Sequence, residues 1–91
     1  MWHILYKPAF LRDMARLPEG VRPRVEQMAF HELPAAGNPF TIGGLEKLQG
    51  YRDYYRIRFG DYRVGVTIDS QARTVELWRV LHRRGIYRHF P

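Results

Sequence analysis

Between Tyr51 and the C-terminus the chain carries nine arginines, Arg52, Arg56, Arg58, Arg63, Arg73, Arg79, Arg83, Arg84 and Arg88, with five tyrosines interleaved. Only four acids accompany them: Asp53, Asp61, Asp69 and Glu76. Arginine is the side chain for planar, bidentate contacts to phosphate and for stacking on bases. No glycine-rich phosphate loop, HExxH helix, nucleophile-elbow serine or usefully spaced carboxylate pair is present. Any catalysis must therefore be run by Arg, Tyr and His. That set suits RNA cleavage by the substrate's own 2′-hydroxyl. The substrate supplies the nucleophile, and the protein orients it, stabilises charge on the phosphorane and protonates the leaving 5′ oxygen. Histidine is the side chain suited to proton transfer at neutral pH, and His82 and His89 fall among the arginines. His3 and His31 read as an edge-strand and a helix-surface residue.

A hairpin sets Arg56, Arg58 and Arg63. In Tyr55-Arg-Ile-Arg-Phe-Gly-Asp-Tyr-Arg-Val-Gly-Val66, apolar residues alternate with arginines on either side of Gly60-Asp61. A two-residue loop with glycine first suits a type II′ turn, and that choice fixes the register. Phe59 faces Tyr62, Arg58 faces Arg63, Ile57 faces Val64 and Arg56 faces Gly65. Like charges directly opposite destabilise a sheet. A phosphate held between Arg58 and Arg63 reverses the sign of that term, and Gly65 leaves room for a nucleic-acid backbone to approach.

The surrounding elements follow from spacing. Trp2 to Tyr6 reads as a short strand, and a helix begins at Pro8 with Phe10, Leu11, Met14 and Leu17 on one stripe. A second helix runs from about Arg22 to Leu33 with Val21, Val25, Met28 and Ala29 inward, and Pro34 to Pro39 ends it. Phe40 to Gly50 is a loop or ragged edge, and strands follow at about 53–59, 61–69 and 74–82. In the last, Val75 and Leu77 face one way and Trp78 and Val80 the other. Either both sheet faces are covered or the strand carries a bulge. The order is β-α-α-β-β-β, an α+β fold with a helical hairpin on one face of a small, mostly antiparallel sheet and arginines on the other.

Ninety-one residues suffice for a single domain, residues 1–91, with one modest core. A formal charge of +6 favours a polyanionic partner. The absence of cysteine excludes disulfides and thiolate metal sites, and four scattered histidines make no zinc site, so neither metal nor cofactor is expected. The apolar run at the N-terminus is too short for a signal peptide or membrane span, which predicts a cytoplasmic protein with no membrane partner.

Four short runs, Leu48-Gln-Gly50, Tyr55-Arg-Ile-Arg58, Gly60-Asp-Tyr-Arg63-Val and Val80-Leu-His-Arg83-Arg-Gly-Ile-Tyr87-Arg, occur in an order and spacing that resembles the RelE/ParE superfamily of bacterial toxins. The resemblance spans nearly the whole chain. It implies a RelE-like fold and a toxin of a type II toxin-antitoxin system, neutralised in a hetero-oligomer by a cognate antitoxin. The RelE branch cuts mRNA in the ribosomal A site and so inhibits translation, whereas the ParE branch inhibits DNA gyrase without nuclease activity. Arg56 and Arg58 stand where RelE toxins often have two lysines. Arginine, with a pKa of roughly 12.5 or more, does not serve as a general base, so these two are expected to clamp phosphate. By the same resemblance Arg63 holds the scissile phosphate, Arg83 stabilises charge at the leaving oxygen, and Tyr87 orients the 2′-hydroxyl or stacks on a base. Arg58, Arg63, Arg83 and Tyr87 are thus the expected catalytic set of a metal-independent endoribonuclease, with Arg56, His82, Arg84 and Arg88 as RNA contacts. Arg79 reads as a backbone contact or a solvated charge, and Tyr51 and Tyr54 as stacking or packing residues. A basic toxin of this kind calls for an antitoxin with acidic and apolar segments, docking on the helical hairpin and sheet edge.

Overall fold

The computed structural model describes residues 1–91. Strand β1 (His3–Tyr6) passes through Lys7 into helix α1 (Pro8–Ala15), which starts at proline because its missing N–H is unneeded there. Phe10 and Met14, one turn apart, are buried. Helix α2 (Arg22–Gln27) continues without a break through a π turn, Met28–Glu32, into α3 (Leu33–Ala35). The helix ends at Ala35, within the Pro34 to Pro39 segment expected to end it, and Pro34 itself lies in its last turn. Proline lacks an N–H and crowds the carbonyl four residues back. Here Leu33 N–H donates to Met28, five residues back, and this widened turn accommodates the ring.

Four further strands, β2 (Leu45–Lys47), β3 (Tyr54–Phe59), β4 (Tyr62–Asp69) and β5 (Thr74–His82), complete a sheet of order β1-β5-β4-β3-β2. β1 pairs with β5 in parallel and all other pairs are antiparallel. The expected α+β architecture is present, with one correction. The segment 40–50 is not only loop, because Leu45, Glu46 and Lys47 pair with Ile57, Arg56 and Tyr55. Three residues are too few to display a period of two. Gly44, just before β2, has φ +81°, and a Cβ there would lie 3.1 Å from the Arg58 carbonyl oxygen. Gly44→Ala is expected to lower stability by about 1–2 kcal/mol in urea titration, since strain and crowding act together.

The β3–β4 register matches the expected one at every pair, Arg58 opposite Arg63 and Arg56 opposite Gly65 included. Gly60 has φ +57° and Asp61 lies outside the left-handed region, as a type II′ turn requires. On β5 both alternatives hold. Gly65 pairs with Arg79 and Val66 with Leu77, so Trp78 is an extra, bulged residue. The bulge returns Val80 to the face of Val75 and Leu77, in the 14-residue main core beneath the helices, which corrects its expected place beside Trp78. The opposite face is also covered, by a small cluster of Leu48, Ile86 and Phe90 against Tyr54, Trp78 and Leu81. Phe90 occupies the space over Gly65, so the opening expected there for a nucleic-acid backbone is filled by the chain's own tail.

Arg79 also departs from expectation. β1 covers the β5 edge only as far as Leu77, and beyond it α1 supplies Asp13. The Asp13 carboxylate, 7% exposed, accepts from Arg79 Nε at 2.6 Å, Arg79 Nη2 at 3.0 Å and Val80 N–H at 3.1 Å. The hydrogen bond to Asp13, against burial that opposes it, holds the Arg79 guanidinium above the ordinary arginine range. It locks helix to sheet and is not a solvated charge.

Candidate active site

The Gly60-Asp61 turn anchors two of the four expected catalytic residues. Arg63 Nη1 donates to the carbonyls of Gly60 at 2.7 Å and Tyr62 at 3.0 Å. The Arg83 N–H donates to the Asp61 carbonyl at 2.7 Å, and its Nε lies 3.7 Å from Asp61 Oδ1. One turn thus gathers an arginine from β4 and another from the tail. The facing of Arg58 and Arg63 is relieved because Arg63 bends back onto carbonyl oxygens, leaving Arg58 exposed without an ion pair or a side-chain hydrogen bond.

A second centre lies along the same face of β3. Arg56, two residues or roughly 6.7 Å from Arg58 along the strand, donates to the Tyr87 hydroxyl and, through Nε, to Glu46 Oε1 at 3.1 Å. Its guanidinium carbon is 5.9 Å from the Tyr87 ring centroid. The hydrogen bond to Tyr87, and then that to Glu46, outweigh burial and raise the Arg56 guanidinium above its ordinary range. Arg56 therefore stays charged and cannot take a proton from substrate. The short 3₁₀ turn Ile86–Arg88 sets Tyr87 outward, 49% exposed, while Ile86 and Phe90 point in.

The remaining expected residues are placed less closely. His82 Nδ1 accepts from Arg84 N–H at 3.1 Å, with its ring edge-on to Tyr62, so the imidazole proton sits on Nε2. That tautomer offers a donor, not a base. Arg84, Arg88 and His89 are exposed on the tail, and neither arginine makes an ion pair. Tyr54 packs against Phe90 with centroids 5.4 Å apart, which settles it as a packing residue, while Tyr51 beside it is half-exposed. Three participants escape the sequence reading: Glu46, Asp61 as the carboxylate facing Arg83, and Phe90. Only pairing of Leu45–Lys47 with β3 reveals Glu46, whereas the proximity of Asp61 to the arginines was visible in the turn itself.

The result is an open, basic ledge and not a pocket. The largest hollow, about 460 Å³, is lined by Arg52, Asp53, Asp69, Ser70 and Gln71 at the other end of the β3–β4 hairpin. No group of three metal-binding side chains is present, and no helix is long and apolar enough to cross a membrane.

Residues 4–87 match the family of ParE toxins of type II toxin-antitoxin systems. The chain belongs to the RelE/ParE toxins. It is 33% identical to toxin RelE3 of Methanocaldococcus jannaschii, with 97% of this chain and 98% of the relative covered. It is 30% identical to toxin RelE of Mycobacterium tuberculosis, over 99% of this chain and 90% of that one. The toxin in the RelB-RelE antitoxin-toxin complex from Methanococcus jannaschii superposes with a TM-score of 0.78 at 32% identity, covering 96% and 99% of the two chains. These relatives place the toxin on the RelE-like branch, as its arginine and tyrosine motifs imply.

Proposed function

We propose that this RelE-like toxin is a metal-independent endoribonuclease that cuts mRNA in the ribosomal A site, in the cytoplasm. The observation that carries the reading is the ledge, which sets Arg56 with Tyr87 and Arg63 with Arg83 at its two ends and an unpaired Arg58 between them. A phosphodiester entering over Arg58 draws Arg63 off the turn carbonyls onto the scissile phosphate. Tyr87, held by Arg56, orients the ribose 2′-hydroxyl. The 2′ oxygen gives up its proton to solvent and bonds to phosphorus, the bond to the 5′ oxygen breaks and that oxygen takes a proton from solvent, and the products are a 2′,3′-cyclic phosphate and a 5′-hydroxyl. Arg83 stabilises charge on the departing oxygen, and His82, whose Nε2–H is a hydrogen-bond donor, is a neighbouring RNA contact. Arg84 and Arg88 hold the flanking backbone.

Glu46 moderates this charge. Glu46→Gln is expected to tighten binding of a short RNA roughly two- to five-fold at low salt and to steepen the salt dependence, measured by fluorescence anisotropy. The cognate antitoxin is an acidic and apolar chain. Half-exposed Leu5, Leu11 and Phe30, beside the free edge of β1 and on the helical hairpin, offer it an apolar seat. Induced expression followed by primer extension on a translated and an untranslated message tests the nuclease reading. Cuts confined to translated codons support it. Intact mRNA with accumulating DNA breaks would instead favour gyrase inhibition, the activity that the resemblance assigns to the ParE branch.

A further inference from the structure

Gly65 sits in the interior of central strand β4, where glycine is a poor choice. Its φ is not positive, so the backbone there accepts any residue. What it lacks is space. A Cβ at position 65 would lie 2.4, 2.5 and 2.7 Å from Phe90 Cδ2, Cγ and Cε2, well inside carbon contact distance. The ring of Phe90, 2% exposed, fills that space, with Tyr54 beside it and Ile86 and Leu48 completing the cluster. His89 and Phe90 N–H groups both donate to the Ile86 carbonyl, at 3.0 and 2.9 Å, and close the tail on itself.

The seat is next to the site. Arg56, which holds the Tyr87 hydroxyl, is the direct cross-strand partner of Gly65. Tyr87 is itself half-exposed, so it does not anchor the tail; Ile86 and Phe90, on either side of it, do. We infer that Phe90 is a positioning residue: its ring, received by the side-chain-free surface of Gly65, fixes the tail in the one setting where the Tyr87 phenol meets Arg56. The catalytic consequence rests on the endoribonuclease reading, whereas the seat itself does not.

The test compares the wild-type toxin with Gly65→Ala, Phe90→Ala and the double variant, all expected to fold because the main core is separate from this cluster. In the free toxin, Gly65→Ala and Phe90→Ala each raise amide exchange at positions 89 and 90 by about tenfold or more and abolish the NMR signature of the Tyr87–Arg56 hydrogen bond. Gly65→Ala in the Phe90→Ala background changes neither by more than about twofold, since nothing remains to collide. On translated message, Phe90→Ala lowers kcat by about tenfold or more with KM within about threefold. It is silent in a Tyr87→Phe background, and Phe90→Leu, which keeps an apolar anchor, restores most of the rate. A Gly65→Ala toxin that keeps tail protection and the Tyr87 signal overturns the seat. A released tail with unchanged kcat, or Phe90→Ala slowing Tyr87→Phe further, overturns the positioning role. A wild-type toxin inert on RNA, with the exchange results as expected, overturns the nuclease reading alone and supports the seat.

Discussion

Replacing Arg63 and Arg83 together by alanine is expected to abolish growth arrest and to lower message cleavage by about 10³-fold or more, measured by single-turnover kinetics. Removing one preorganised donor to a developing anion costs about 10²–10³ in rate, and two donors acting on one phosphorane combine less than multiplicatively. The folded state barely registers the change. Arg63 bonds to carbonyls of an exposed turn, and Arg83 faces Asp61 at 3.7 Å with both side chains more than half exposed. Such exposed ion pairs contribute little, so the melting temperature should move by no more than a few degrees. A double variant that folds and still cuts message at the wild-type rate contradicts the assignment of either arginine to the phosphate.

Asp13→Ala is the corresponding expectation for stability. It removes the acceptor of Val80 N–H, which belongs to a residue with no solvent exposure, and both partners of the Arg79 fork. An orphaned buried N–H costs about 1–3 kcal/mol. The stranded guanidinium adds less than a fully buried charge because the Arg79 side chain is 26% exposed and reaches water. The sum is about 2–4 kcal/mol, or roughly 10–20 °C in melting temperature for a domain of this size. Asp13→Asn keeps an acceptor for Val80 and should recover about half of the loss in thermal denaturation. An Asp13→Ala toxin within 1 kcal/mol of wild type, roughly the worth of one ordinary hydrogen bond, means the lock is not a lock.

Most of the architecture was readable because hydrophobic periods and turn chemistry agree. The alternation on either side of Gly60-Asp61 gave the hairpin, its turn type and its register, and thereby the row of Arg56, Arg58 and Arg63. What escaped depends on contacts remote in sequence or on single-residue irregularities. The bulge in β5 is one of two alternatives that the run Val75, Leu77, Trp78 and Val80 leaves open, and only the pairing with β4 locates it at Trp78. The helix ends within Pro34 to Pro39 as expected, but nothing local announces the π turn before it that lets Pro34 sit in the last turn. Arg79 looks like every other arginine in the chain, and only α1, 66 residues earlier, makes it structural. Gly65 was read as room for RNA, but that room is taken by Phe90, 25 residues further on.

The most direct measurement pairs two messages that differ by one atom. Programmed ribosomes are given purified toxin and either an all-ribose message or one with a single 2′-deoxy residue at the mapped cut, with chelator present at a concentration that leaves the ribosomes intact. The expected result is cleavage of the first, leaving a 2′,3′-cyclic phosphate and a 5′-hydroxyl, and no cut at that residue in the second. Equal cleavage of both messages, or of neither, contradicts an arginine and tyrosine ledge that turns the RNA's own hydroxyl on its phosphate.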